Sequence, residues 1–188
     1  MNEPIFDSVE VALGAAFRAE VDAVYPKSGT AVALNAMMKT SGWVFDDYRV
    51  RRIDTRGLRP LEYFAQCALV REVVESRKLL TLEEIYAIWA RYAWGYKKEL
   101  GYAGVAKHVE SLTSNAGECL LNIVRSIYQG EKIFSERALA QKYGCSRSSI
   151  HVDRHKVISA DYSLHALAVI RLDGVLKNVG VVGELVVY

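Results

Sequence analysis

Apolar residues recur at helical spacing over most of the chain, and the breaks between these stretches are short and polar. From Asp7 to Tyr25, Leu13, Phe17, Val21 and Val24 share one face, and Asp7 is placed to cap the helix they define. Pro26 disfavours a helical residue before it and Gly29 favours a turn, so that helix ends and Thr30 caps an alanine-rich second one through Met38. Pro60 suits a first helical turn, and Leu61, Phe64, Ala65, Ala68, Leu69 and Val73 then form a stripe reaching Ser76, with Cys67 packing along it. Thr81 and Glu84 have the spacing of a capping box and open a helix whose Ile85, Ile88, Trp89, Tyr92 and Tyr96 are expected in the core. Gly101 and Gly104 predict a bend into a short helix ending near Leu112. Ser114 is the expected cap of the next helix, which carries Leu120, Leu121, Val124, Ile127 and Tyr128 and stops at Gly130.

Helical spacing resumes after Gly130 and continues past Val157, where Leu164, Leu167, Ala168, Ile170 and Leu172 offer more apolar surface than one stripe requires. A helix of that kind is buried on several sides or meets a partner, so self-association is a candidate property. Periodicity lapses only between Ser41 and Pro60, which reads as an irregular connection or short β-hairpin near residues 42–59, and in the β-branched end VGVVGELVVY, which suits a terminal strand or a groove-filling tail. The sequence therefore predicts an all-α, multi-helix fold. Residues 1–60 hold the N-terminal helices and the connection, and residues 61–188 hold a helical body.

Within that body, residues 135–157 have the layout of a helix-turn-helix. Ala140 is small enough for the point where two helices cross at about 90–120°, and Gly144 supplies the positive φ that a tight turn needs. Leu139, Tyr143 and Ile150 close a small shared core, and Ser146 caps the second helix. Asp153 stands where an apolar residue is more usual, so Val157 is expected to carry the packing instead. The exposed edge then consists of Ser146, Arg147, Ser148, His151, Val152 and His155. Arg147, Ser148 and His151 are placed to meet base edges in a major groove, and Ser135, Ser148, Ser149, Arg154 and Lys156 to meet phosphate. A structural αα-corner has the same Ala, Gly and Ile spacing. DNA binding is favoured by Ser-Arg-Ser-Ser after the turn and by six Lys or Arg against three Asp or Glu between Glu131 and Ala160.

Charge matters only locally, because the net charge of the whole chain is +2. Arg49, Arg51, Arg52, Arg56 and Arg59 crowd the irregular connection beside Trp43, Phe45 and Tyr48, a composition suited to tracking a phosphate backbone or meeting a protein partner. Asp46, Asp47 and Asp54 could equally pair those charges at the surface. With 51% hydrophobic and 24% charged residues the chain is not a disordered one. Three widely spaced cysteines predict reduced thiols in a cytoplasmic setting, and no apolar run approaches the roughly 20 residues of a membrane span.

No phosphate-binding glycine loop, nucleophile elbow or recognisable carboxylate pair occurs, so no enzyme is expected, and no cofactor. His151 and His155 lie four apart with Cys145 nearby, but lack a fourth ligand at a usual spacing, so no metal is expected either.

The run from Ile88 to Leu176, with IWARYAWGY, a helix ending in SIYQG, and ALAQKYGCSRSSI before a long apolar helix, resembles the phage Q-type late-gene transcription antitermination proteins, including the host-encoded lysis-cassette antiterminators. It covers roughly the second half of the chain, and the cysteine pairs that bind zinc in some phage members are absent. The resemblance implies a factor that binds double-stranded DNA at or beside a promoter, loads onto RNA polymerase and its sigma factor paused downstream, and travels with the enzyme so that terminator hairpins cannot form. On matching positions Arg147, Ser148, His151 and His155 carry the DNA step, and the arginines from Arg49 to Arg59 are candidates for touching polymerase or nascent RNA. A conventional helix-turn-helix repressor or activator is the alternative, since it needs the same DNA surface and no polymerase.

Overall fold

A computed structural model of the chain describes residues 5–24, 60–129 and 135–183. Among these the fold is all-α, with helices α1 (Val9–Val24), α2 (Pro60–Glu75), α3 (Leu82–Tyr92), α4 (Gly95–Val109), α5 (Gly117–Gln129), α6 (Glu136–Tyr143) and α7 (Arg147–Asn178). The expected helix from Thr30 to Met38, the segment near residues 42–59 and all five of its arginines lie outside the described residues. So does Gly130.

Two apolar cores form, and α3 and α7 contribute to both. In the first, Leu13 and Phe17 of α1 and Cys67, Val70 and Val74 of α2 pack on Ile85 and Ile88 of α3 and on Ala168, Leu172 and Leu176 near the end of α7. In the second, Ala87 and Ala90 of α3 and Tyr102 and Val105 of α4 meet Leu120, Ile123 and Val124 of α5, together with Leu139, Ile150, Val157 and Leu164. A single 11-residue α3 can serve both because its apolar positions fall on two sides of the helix. Leu167 and Ile170 of α7 remain exposed. The extended segment after α7 meets the start of the chain, where Phe6 N–H donates to Val181 O at 3.0 Å and Gly183 N–H to Phe6 O at 3.1 Å, a single parallel bridge.

Four expectations need correction. At the start of α1 the capping contact comes from Ser8, one residue past the expected Asp7, its Oγ accepting from Val11 N at 3.3 Å. On α2 the buried face is Tyr63, Cys67, Val70 and Val74, whereas Ala65 and Ala68 are exposed. The face lies there because α1 and Phe6 pack against that side of the helix, with Phe64, Leu69 and Val73 half-buried at its margin. Tyr96 is 77% exposed, because α3 ends at Tyr92, Ala93 and Trp94 are extended, and Gly95 at φ 55° turns the chain into α4. Gly101 and Gly104 mark no bend but lie within α4, where its backbone rests on α3. A Cβ at Gly101 would stand 2.4 Å from Ala90 N and 2.8 Å from Tyr86 O, and one at Gly104 would overlap the Tyr86 ring.

Polar contacts fix how these helices sit. The Thr81–Glu84 capping box is formed, with Thr81 N donating to Glu84 Oε2 at 2.8 Å and Glu84 N to Thr81 Oγ1 at 3.3 Å. That same buried carboxylate also accepts from Arg171 of α7 at 3.0 Å. Lys97 of α4 joins Glu20 of α1 at 2.8 Å and Glu75 of α2 at 2.7 Å. Deeper in, Asp161 of α7 accepts from Arg91 of α3 at 2.5 Å and from the Tyr128 hydroxyl of α5, and one turn on His165 Nε2 lies 3.0 Å from Tyr92 Oη. Burial pushes the Tyr92 phenol up to about 12. Burial and the neighbouring Asp161 raise that of Tyr128 as well.

The close crossing of α3 and α4 gives a paired test. Gly101→Ala should destabilise by about 1–3 kcal/mol, since the methyl meets backbone that cannot step aside. Gly14→Ala in α1, where a Cβ meets nothing within 4 Å, should stabilise by about 0.4–1 kcal/mol. Urea unfolding of both variants checks this, and equal effects would contradict the crossing.

Acid should weaken the fold through His165, whose ring burial and then the Arg91 guanidinium hold below its ordinary 6.5. Between 6.5 and the lower folded value the unfolded chain binds a proton that the folded chain refuses, so this contribution is complete above 6.5 and declines as the pH falls. The thermal midpoint should therefore drop more steeply below 6.5 in the native chain than in His165→Gln, which offers Tyr92 a polar partner and does not titrate. Parallel curves would rule His165 out as the source.

Candidate nucleic-acid interface

Helices α6 and α7 form a tight corner whose ends are all capped. Ser135 Oγ accepts from Ala138 N at 3.2 Å to start α6. Gly144 ends it at φ 66°, ψ 24°, the left-handed conformation that costs glycine least, and the Gly144 and Cys145 N–H groups both turn back to Ala140 O. Ser146 Oγ then accepts from Ser149 N at 3.0 Å and starts α7. Leu139, Ile150 and Val157 are buried, and the half-buried Tyr143 takes a 2.5 Å hydrogen bond from Asn122 of α5. The corner therefore stands on α5 through both apolar and polar contacts.

Asp153 explains how the corner is anchored. Its carboxylate is fully buried and accepts from Ser114 N at 3.0 Å, Asn115 N at 2.8 Å and Asn115 Nδ2 at 2.8 Å, all in the connection between α4 and α5. Ser114 is thus not the cap of α5, which begins at Gly117 with φ 58°. Two flanking side chains join the same anchor. Ser149 Oγ accepts from Asn115 Nδ2 at 2.9 Å, and the Lys156 ammonium donates to Leu112 O at 2.6 Å.

These contacts sort the nine candidate DNA-binding residues. Ser135 and Ser146 serve as helix caps, Ser149 and Lys156 hold the α4–α5 connection, and Arg154 is half-buried. Arg147, Ser148, His151 and His155 remain exposed along the first turns of α7, with Val152 among them. Ser148 Oγ lies 3.1 Å from Ser146 Oγ. Glu136 of α6 faces this group, its carboxylate 3.4 Å from Arg147 Nε and 2.9 Å from His151 Nδ1. The hydrogen bond from His151, with Arg147 beside it, holds Glu136 below the usual carboxylate range.

Neither Glu136 nor Asn115 carried a sequence signal. Glu136 is fifteen positions from His151, a separation no helical periodicity covers, and Asn115 lies in a connection with no motif. The cysteines expected as thiols are unbridged, with Cys67 and Cys119 buried and Cys145 half-buried, and burial pushes the Cys119 thiol up to about 11. No helix among the described residues is long and apolar enough to cross a membrane. No protein-family model matches the chain, and no curated protein matches it either.

Removing the anchor should be costly. Asp153→Ala leaves three N–H donors without their acceptor and should destabilise by about 2–3 kcal/mol, whereas Arg147→Ala at the exposed edge should stay within about 0.5 kcal/mol of the native chain. Denaturant unfolding of the two variants measures both, and a neutral Asp153→Ala would mean that water replaces the carboxylate freely.

Proposed function

We propose that this chain is a sequence-specific double-stranded DNA-binding protein that reads the major groove with the first turns of α7. The observation that carries the reading is the exposed row of Arg147, Ser148, His151 and His155 on the second helix of a capped, glycine-turned corner. A major groove about 12 Å wide admits a single helix, and an arginine fork, a hydroxyl and imidazoles are side chains that hydrogen-bond to base edges. The Glu136 contact does not stand in the way. Arg147 is 75% exposed and its pair with Glu136 spans 3.4 Å. An exposed pair of that kind is worth about 0–1 kcal/mol, less than the about 1–3 kcal/mol of a good bidentate base contact.

The finer reading follows the resemblance to the Q-type antitermination proteins: the chain loads from its DNA site onto RNA polymerase and its sigma factor and permits terminator readthrough, without itself being an enzyme. Support for it comes from the tryptophan-containing helix before ALAQKYGCSRSSI and the long helix after it.

The test has two stages. A duplex selected from a randomised pool should bind Arg147→Ala about 1–3 kcal/mol more weakly, with preference relaxed at one base pair; equal loss on every sequence would make Arg147 a phosphate contact, and no selected duplex at all would overturn the DNA reading. Purified transcription on a template carrying that site ahead of a terminator should then show readthrough that depends on the protein. Binding without readthrough would leave a conventional promoter regulator.

A further inference from the structure

The two imidazoles on the exposed edge are arranged in a way that base reading does not call for. His155 Nε2 lies 3.2 Å from His151 Nε2, and the rings stand at 75° to each other. On the far side of the His151 ring, Nδ1 lies 2.9 Å from Glu136 Oε1. A carboxylate only accepts, so it keeps the His151 proton on Nδ1, and the Nε2 lone pair faces His155 Nε2 as a hydrogen-bond acceptor, a contact that a cation held by the two nitrogens would replace. Two imidazole nitrogens bound to one tetrahedral zinc at about 2.0–2.1 Å each are separated by about 3.3–3.4 Å, close to the separation the two rings already have.

We infer that His151 and His155 form a chelating site for a divalent late first-row cation such as zinc, nickel or copper, with Glu136 as the positioning carboxylate behind His151. The sequence argued against a metal because no fourth ligand stood at a usual spacing, and among the described residues no group of three or more His, Cys, Asp or Glu is placed to hold an ion. The site is accordingly an open one, with two protein ligands and the other positions left to water or to a group on a bound molecule. Three features set it apart from any histidine pair one turn apart. A carboxylate from another helix orients one ligand, the arrangement that recurs behind metal-bound histidines. Entry is unobstructed, since the pair opens on a shallow groove of about 600 Å³ that also takes in Leu112, Val152 and Ser159. The lysine that lines that groove, Lys156, is engaged by the Leu112 carbonyl.

Binding is read on the tag-free full chain without DNA, so its outcome is independent of the function proposed above. Titration with zinc chloride or nickel chloride, followed by calorimetry, should show one equivalent bound. His151→Ala and His155→Ala should each weaken it by at least about tenfold, while His108→Ala, an exposed histidine on α4, should bind like the native chain. Glu136→Ala should weaken binding by about tenfold, and Glu136→Gln, which keeps an acceptor for His151 Nδ1, by less. Nuclear magnetic resonance gives the second readout: zinc should shift the ring signals of His151 and His155 and leave those of His108 and His165 in place. Undiminished affinity in His155→Ala, unmoved His151 and His155 signals, or no binding at all would each overturn the assignment.

Discussion

The fold depends on making two aspartates acceptable inside an apolar interior. Asp153 and Asp161 are buried on the same helix, eight residues apart, and a carboxylate without partners there would cost several kcal/mol. Each is matched by a different part of the chain: Asp153 by the N–H groups of the α4–α5 connection, and Asp161 by Arg91 of α3 and Tyr128 of α5. Apolar contact alone is non-directional and would tolerate a slide of α7 along its neighbours. The two carboxylates remove that freedom, because any slip of one turn would strand both charges at once. Further along, His165 meets Tyr92 and Arg171 meets Glu84, so the same helix is pinned at four levels.

That arrangement also determines which side chains of the corner face outward. Because Asp153 points into the α4–α5 connection, its neighbours on that side, Ser149 and Lys156, are drawn to the same connection. The opposite side of the helix, with Arg147, Ser148, His151 and His155, is left to solvent. A polar residue at position 153, which looked like a departure from the usual pattern, is what orients the exposed edge.

Much of the architecture was legible because helix signals are local. The capping box at Thr81 and Glu84, the left-handed Gly144 and the Ser146 cap depend on residues within a few positions of one another, and the pattern alone identified the helical composition of the fold. Ser135, by contrast, read as a phosphate contact and turned out to cap α6. What was not legible depends on partners far away in sequence. The buried face of α2 is decided by what α1 and Phe6 present to it, with Phe6 and Tyr63 rings 6.2 Å apart, and not by its own alanines. Gly101 and Gly104 read as breakers in isolation, since only the presence of α3 shows that their missing side chains make room for another helix. For the candidate site, the exposed row was readable from helical spacing, but Glu136 and Asn115 enter through the corner and the connection, whose closure no spacing rule encodes.

One consequence follows from the continuity of α7. Its 32 residues make a rod about 48 Å long with the corner at one end and the first core at the other. There is no hinge between the part that faces outward and the part that is clamped inside. Whatever seats the outer end therefore sets the bearing of the whole body, like a tiller fixed to its rudder, and a tilt of a few degrees at the corner displaces the far end by several ångströms.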